Sequence, residues 1–153
     1  MTRTRLTPLL ILVPSLGVVG TALLSQYVGG LQPCELCELQ RLPYYAVIAL
    51  AILALWRPRL IPGFGLLAGL IFLVSAGLAF YHLGVEQHWF PGPSACTASG
   101  TAASIAELRA QILASRSVRC DEPQWALFGI SLAGWNVLAS LLLAGAAFSR
   151  RRA

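Results

Sequence analysis

Four long apolar stretches divide the chain: Pro8–Val28, Leu42–Trp56, Ile61–Tyr81 and Trp125–Phe148. A helix that spans a bilayer needs about 20 consecutive apolar residues. Lipid offers backbone N–H and C=O groups no partner, so such stretches are helical. The second stretch is short as drawn and reaches spanning length only if its first turns lie at the interface near Glu38–Arg41. The pattern predicts an all-α integral membrane four-helix bundle, with residues 1–153 as a single membrane domain. Between the spans lie a short turn, Arg57-Pro58-Arg59, and two longer polar intervals, loops 29–41 and 82–124. In the second of these, Ile105, Leu108, Ile112 and Leu113 recur at helical spacing, while Glu107, Arg109 and Gln111 take other faces. This predicts a short amphipathic helix over Ala103–Ser115, either flat on the membrane surface or packed on the loop's own small core. Trp56, Trp89, Trp125 and the Tyr44-Tyr45 pair fall near span ends, where aromatic rings anchor a protein at the interface.

Charge placement orients the bundle. The chain is 57% hydrophobic and 11% charged, well below the roughly 25% charge of soluble domains. The net charge of +5 would suit nucleic acid, but its distribution argues for a membrane instead. Arg3, Arg5, Arg57, Arg59, Arg150, Arg151 and Arg152 fall on one side, with no acid among them. Arg41, Arg109, Arg116 and Arg119 fall on the other, with Glu35, Glu38, Glu86, Glu107, Asp121 and Glu122. The Arg-rich side is cytoplasmic by the positive-inside rule, which places both termini inside and loops 29–41 and 82–124 outside. Arg3 and Arg5 before an apolar run could also open a signal peptide. The run is long for one and lacks a clear small-residue cleavage site, so it is expected to remain as a span. The spans hold no Asp, Glu or Lys near the midplane, which argues against a transporter.

All four cysteines, Cys34, Cys37, Cys96 and Cys120, lie in the two outer loops, on the side where disulfides persist. Spacing favours Cys34 with Cys37 and Cys96 with Cys120. Cys34-Glu35-Leu36-Cys37 is a C-x-x-C at the start of the second span, and thiols in such motifs often titrate low. The helix N-terminus favours a thiolate there. Arg41, one turn after Cys37 on the same face, adds positive charge, opposed by Glu35 and Glu38. Three alternatives attach to these residues. The C-x-x-C with His82 and His88 could hold zinc, although Cys96 and Cys120 are too far apart for a second knuckle, and no metal is expected. Both pairs could be inert structural bridges, and Arg41 could be an interfacial cation that snorkels.

Taken together, these residues resemble the disulfide bond formation protein B family, DsbB, over nearly the whole chain. The likeness rests on a span ending before Pro33-Cys34-Glu35-Leu36-Cys37, Arg41 four residues on, a long loop with Cys96 and Cys120, and a last span opening Trp125-Ala126-Leu127-Phe128-Gly129. The stretch Ser131-Leu132-Ala133-Gly134-Trp135-Asn136 is also similar to the family's final helix. The resemblance implies a bacterial inner-membrane thiol–disulfide oxidoreductase. In that scheme Cys96–Cys120 reoxidises a soluble thioredoxin-like partner, DsbA, with Cys96 joining the partner. Electrons pass to Cys34–Cys37 and from Cys37 to a membrane quinone, ubiquinone or menaquinone. Arg41 would help bind the quinone, with His82 nearby. Vitamin K epoxide reductase-like proteins also use four helices and two cysteine pairs, but there the loop pair precedes the C-x-x-C along the chain. A non-catalytic membrane protein with two structural disulfides is the other alternative.

Overall fold

A computed structural model describes residues 3–93, 104–106, 109 and 119–149. Its elements are α1 (Arg3–Tyr27), α2 (Glu35–Leu39), α3 (Arg41–Trp56), a 3-10 turn at Pro58–Leu60, α4 (Ile61–Glu86), two short strands, β1 (Ala126–Leu127) and β2 (Ile130–Ser131), and α5 (Leu132–Ser149). Four helical segments are long and apolar enough to cross a membrane, with α2 and α3 together forming one of them, Glu35–Trp56. The protein is an all-α multi-pass membrane bundle.

Several boundaries differ from the sequence reading, each for a local reason. The second span gains its length from α2. Pro43 lacks an N–H, and its ring clashes with the carbonyl four residues back, so the helix is interrupted at Gln40 and resumes at Arg41. The third span does not stop at Tyr81; α4 continues to Glu86. His82 and Glu86 therefore belong to the helix, not to the loop. Beyond Glu86 the chain turns at His88, whose φ is +60°. Trp89 N–H donates to the Gly84 carbonyl at 2.7 Å and His88 N–H to the Val85 carbonyl at 3.1 Å, the bond pair that closes a helix through a left-handed residue.

The last helix does not open at Trp125. Ala126 pairs with Ser131 and Leu127 with Ile130 in an antiparallel ladder, turned by Phe128 and Gly129, both at positive φ. Two consecutive positive φ values define the two-residue turn that suits a hairpin, and Gly129 adopts one without a side-chain penalty. Only at Leu132 does the helix begin. The helix expected over Ala103–Ser115 lies mostly outside the described residues; Ile105, Ala106 and Arg109 are helical.

Small residues set the packing. The buried positions of α4, including Phe64, Ala68, Phe72, Ala76 and Ala79, recur every three or four residues, and α4 packs most extensively on α5. Close helix approach in lipid depends on such small residues. At Gly69 a Cβ would fall 2.5 Å from the Phe148 ring. The main core joins Ile11, Tyr44, Val47, Phe72, Ala144 and Ala147. A second, smaller cluster sits at one end of the bundle and contains Cys34, Leu36, Val85 and Cys120.

Candidate functional site

That smaller cluster is built by three segments. Cys34 is the N-cap of α2, and its sulfur accepts from the Cys37 N–H at 3.3 Å. The Cys34 S–H donates to the Cys37 sulfur at 2.8 Å. Cys34, Cys37 and Cys120 are all free thiols. The hydrogen bond to Cys37, followed by burial, holds the Cys34 thiol well above its ordinary range, because losing the proton would remove a bond and leave a charge out of water. Cys120 arrives from the distant loop and is 1% exposed, against 2% for Cys34. The sulfurs of Cys34 and Cys120 and a ring nitrogen of His82 lie within 4.8 Å of one another. Cys120 is thus buried in the end of the bundle, although it comes from the long outer loop. Gln124 ties its segment to the first outer loop by donating to the Gln32 carbonyl at 2.6 Å, and within the segment Arg119 bonds Asp121 at 3.0 and 2.7 Å. Arg119 holds the Asp121 carboxyl below the usual range.

The length of α4 brings His82 and Glu86 into the site, both on its buried stripe. His82 Nε2 lies 3.6 Å from Cys34 Sγ and 3.7 Å from Glu86 Oε1. On the other side of the ring, Gln40 Nε2 lies 2.6 Å from His82 Nδ1. Gln40 is tied in turn to Asn136, whose amide donates to Gln40 Oε1 at 2.6 Å. Asn136 Oδ1 accepts from the Tyr44 hydroxyl at 2.7 Å. A chain of polar groups thus crosses from α3 and α5 to the thiols. Each link satisfies a group that lipid would leave unpaired. Among the described residues, Glu86 Oε2 is the only buried side-chain N or O atom without a hydrogen-bond partner.

Beside the thiols, a cavity of about 910 Å³ is walled largely by α1 and α5 and reached by Cys37, Arg41, His82 and Glu86. Arg41 points into it and donates to Gln26 Oε1 of α1 at 2.6 Å. Of the residues singled out from sequence, Cys34, Cys37, Cys120, Arg41 and His82 therefore converge at one end of the bundle; Cys96 lies outside the described residues. Sequence reasoning passed over Gln40 and Gln26, took Tyr44, which is buried in the core, for an interface anchor, met Asn136 only as part of the last span, and treated Glu86 as a loop acid. The available signal was an amide inside or at the edge of an apolar span, which is costly unless it has a partner. His88 serves as the turn residue after α4.

A membrane bundle that gathers three thiols at one helix end defines a transmembrane thiol–disulfide protein. Comparison with known proteins places it further. The family model for disulfide bond formation protein DsbB matches residues 4–149, and the chain belongs to that family. It is 31% identical to disulfide bond formation protein B of Ralstonia nicotianae, over 89% of this chain and 86% of that one. It is 33% identical to disulfide bond formation protein B 2 of Pseudomonas savastanoi pv. phaseolicola, over 91% and 83%. An uncharacterized protein of Rickettsia prowazekii is 25% identical over 92% of this chain and 84% of its own length. No solved structure matches.

Proposed function

We propose that this disulfide bond formation protein reoxidises a periplasmic DsbA-like dithiol protein and delivers the electrons to a membrane quinone. The observation that carries the reading is the meeting of Cys34 and Cys120, from different loops, within 4.8 Å. Disulfide exchange needs a thiolate in contact with the sulfur it attacks, and that contact joins the two cysteine pairs.

The relay runs through four sulfurs. A thiolate of the partner attacks Cys96 of an oxidised Cys96–Cys120 bridge and expels Cys120 as a thiolate. The partner's second thiolate then attacks its own sulfur in that mixed disulfide, which releases Cys96 and leaves the partner oxidised. The burial of Cys120 supports this direction, since a protein partner cannot reach a sulfur that is 1% exposed. Cys120 attacks Cys34 of an oxidised Cys34–Cys37 bridge, forming a Cys34–Cys120 bond and displacing Cys37. The displaced Cys37 sulfur lines the cavity. The Cys96 thiolate then attacks Cys120 in the new bond, which restores the Cys96–Cys120 bridge and releases Cys34 as a thiolate. The reduced Cys34–Cys37 pair would reform its bridge as its two electrons pass to the quinone.

The cavity fits a quinone. Its volume lies within the range of small-ligand pockets, about 300–1,000 Å³, its walls are mainly apolar, and Arg41 supplies one cation. A bound quinone takes up two electrons and two protons as it becomes a quinol. Arg41, steadied by Gln26, would orient a carbonyl oxygen and favour negative charge on the neighbouring Cys37 sulfur. The charge pattern supports cytoplasmic termini in the inner membrane, with the thiol end of the bundle facing the periplasm.

The test mixes the purified protein with a reduced thioredoxin-fold dithiol protein and a short-chain quinone, and follows quinone absorbance. Catalytic loss of quinone absorbance, abolished in Cys34→Ala, is the expected result. Oxidation of the partner without quinone loss would remove the quinone from the scheme.

A further inference from the structure

We propose that Gln40 is a positioning residue that locks His82 in the Nε2–H tautomer, so that the ring presents a hydrogen-bond donor, never a lone pair, to the sulfur of Cys34. The proposal deepens the relay reading, because it assigns the group that stabilises Cys34 each time that sulfur is the leaving group.

One acceptor in the network cannot change roles. The Leu36 carbonyl lies 3.2 Å from Gln40 Nε2. A carbonyl only accepts, so this end of the Gln40 amide is its NH₂ group. The NH₂ has two protons. One goes to Leu36 and the other points at His82 Nδ1, 2.6 Å away. Nδ1 must accept, and in a neutral imidazole the proton then sits on Nε2. The far side of the amide agrees. Gln40 Oε1 accepts from Asn136 Nδ2 at 2.6 Å, and Asn136 Oδ1 accepts from Tyr44 at 2.7 Å. Reversing Gln40 would set oxygen against oxygen at Leu36.

The surroundings of Nε2 call for the same tautomer. Its neighbours are Cys34 Sγ at 3.6 Å and Glu86 Oε1 at 3.7 Å. Both are acceptors. The ionisable groups gathered here are Cys34 at the N-cap of α2 and Cys37 within it, Arg41 and Tyr44 from α3, His82 and Glu86 from α4, and Arg119, Cys120 and Glu122 from the distal loop. His82 is 3% exposed, so water does not compete for either nitrogen.

Two chemical consequences follow. When exchange releases Cys34 from a disulfide, its sulfur takes the electron pair of the broken bond. The Nε2–H supports that charge and the ring itself keeps its proton. The same geometry disfavours a metal on Cys34, His82 and Cys120. A ligating Nε2 would need its lone pair free and its Nδ1–H donated to an acceptor, whereas Gln40 offers Nδ1 a donor.

The test reads the ring directly and does not depend on turnover. The reduced protein is prepared with ¹⁵N-labelled histidine, with the His88→Asn variant to assign the two rings. At neutral pH, His82 should show a protonated Nε2 and an unprotonated Nδ1. Gln40→Leu should mix the tautomers, and Gln40→Glu should move the proton towards Nδ1. In a Cys37→Ala background, the rate of Cys34 alkylation by a small uncharged reagent at neutral pH should fall roughly fivefold with Gln40→Leu, the effect of one hydrogen bond to sulfur. An Nδ1–H tautomer or an imidazolium in the unmodified chain overturns the proposal, as does a Gln40→Leu spectrum identical to it. If quinone turnover fails while the Nε2–H tautomer is found, the relay reading falls and the tautomer lock stands.

Discussion

Cys34 and Cys120 are buried against each other, with their sulfurs within 4.8 Å and Val85 of α4 packed beside both. With Cys37 and Cys96 both replaced by Ala, mild oxidation should join Cys34 to Cys120. Mass spectrometry of a non-reduced digest would find the two peptides linked. Persistence of both free thiols would mean that the two pairs do not exchange electrons at this contact.

The burial of Cys120 also predicts which sulfur the partner bonds. A partner lacking its resolving cysteine and activated as a mixed disulfide should accumulate on Cys96 in a Cys120→Ala chain. It should not accumulate on Cys120 in a Cys96→Ala chain. A non-reducing gel that traps only the second complex would reverse the roles.

Arg41→Ala should weaken quinone binding by about 1.5–3 kcal/mol, the range for a hydrogen bond to a charged group. Gln26→Leu removes only the residue that steadies Arg41 and should have a smaller effect in the same direction. Titration with a short-chain quinone measures both. If affinity in Arg41→Ala is unchanged, Arg41 is an interfacial anchor.

The Arg119–Asp121 pair braces the backbone on both sides of Cys120 and should make its cover sensitive to acid. Asp121 titrates below its ordinary value in the folded protein. Its pairing therefore contributes above the unfolded carboxylate range and is lost as pH falls through the lowered folded value. Alkylation of Cys120 by a thiolate-independent reagent should speed up on that acid side. Arg119→Ala should already be fast at neutral pH. Equal rates in both chains across the range would show that this local pair does not shape the cover over Cys120.

Two backbone positions at the end of α4 make opposite predictions for stability. A Cβ at Gly84 would fall 2.2 Å from the Phe90 ring, which stacks on Tyr81. Gly84→Ala should cost about 1–3 kcal/mol, as overpacking does. His88 sits at φ +60°, and His88→Gly should gain roughly 1 kcal/mol by removing the left-handed penalty. Thermal unfolding in one detergent compares both with the unmodified chain, and a destabilised His88→Gly would contradict the turn geometry.

Membership in the bundle class was legible in the amino-acid sequence. Four apolar runs must become helices, because lipid leaves the backbone no other partner. The C-x-x-C was equally plain, since its chemistry depends on two sulfurs three residues apart. What the sequence alone did not reveal was which face of each helix turns inward. These spans are apolar nearly all round, so the hydrophobic pattern carries no preferred side. Glu86 read as a loop acid because the apolar run falters near Tyr81, yet packing against α5 carries α4 on to Glu86 and turns that carboxyl inward. The contact of Cys34 with Cys120, and the line from Tyr44 through Asn136 and Gln40 to His82, depend on the rotation and height of helices far apart in the chain. Only close packing of small residues in the tertiary structure sets those, and it decided which sulfur lies beside which and which nitrogen of His82 faces it.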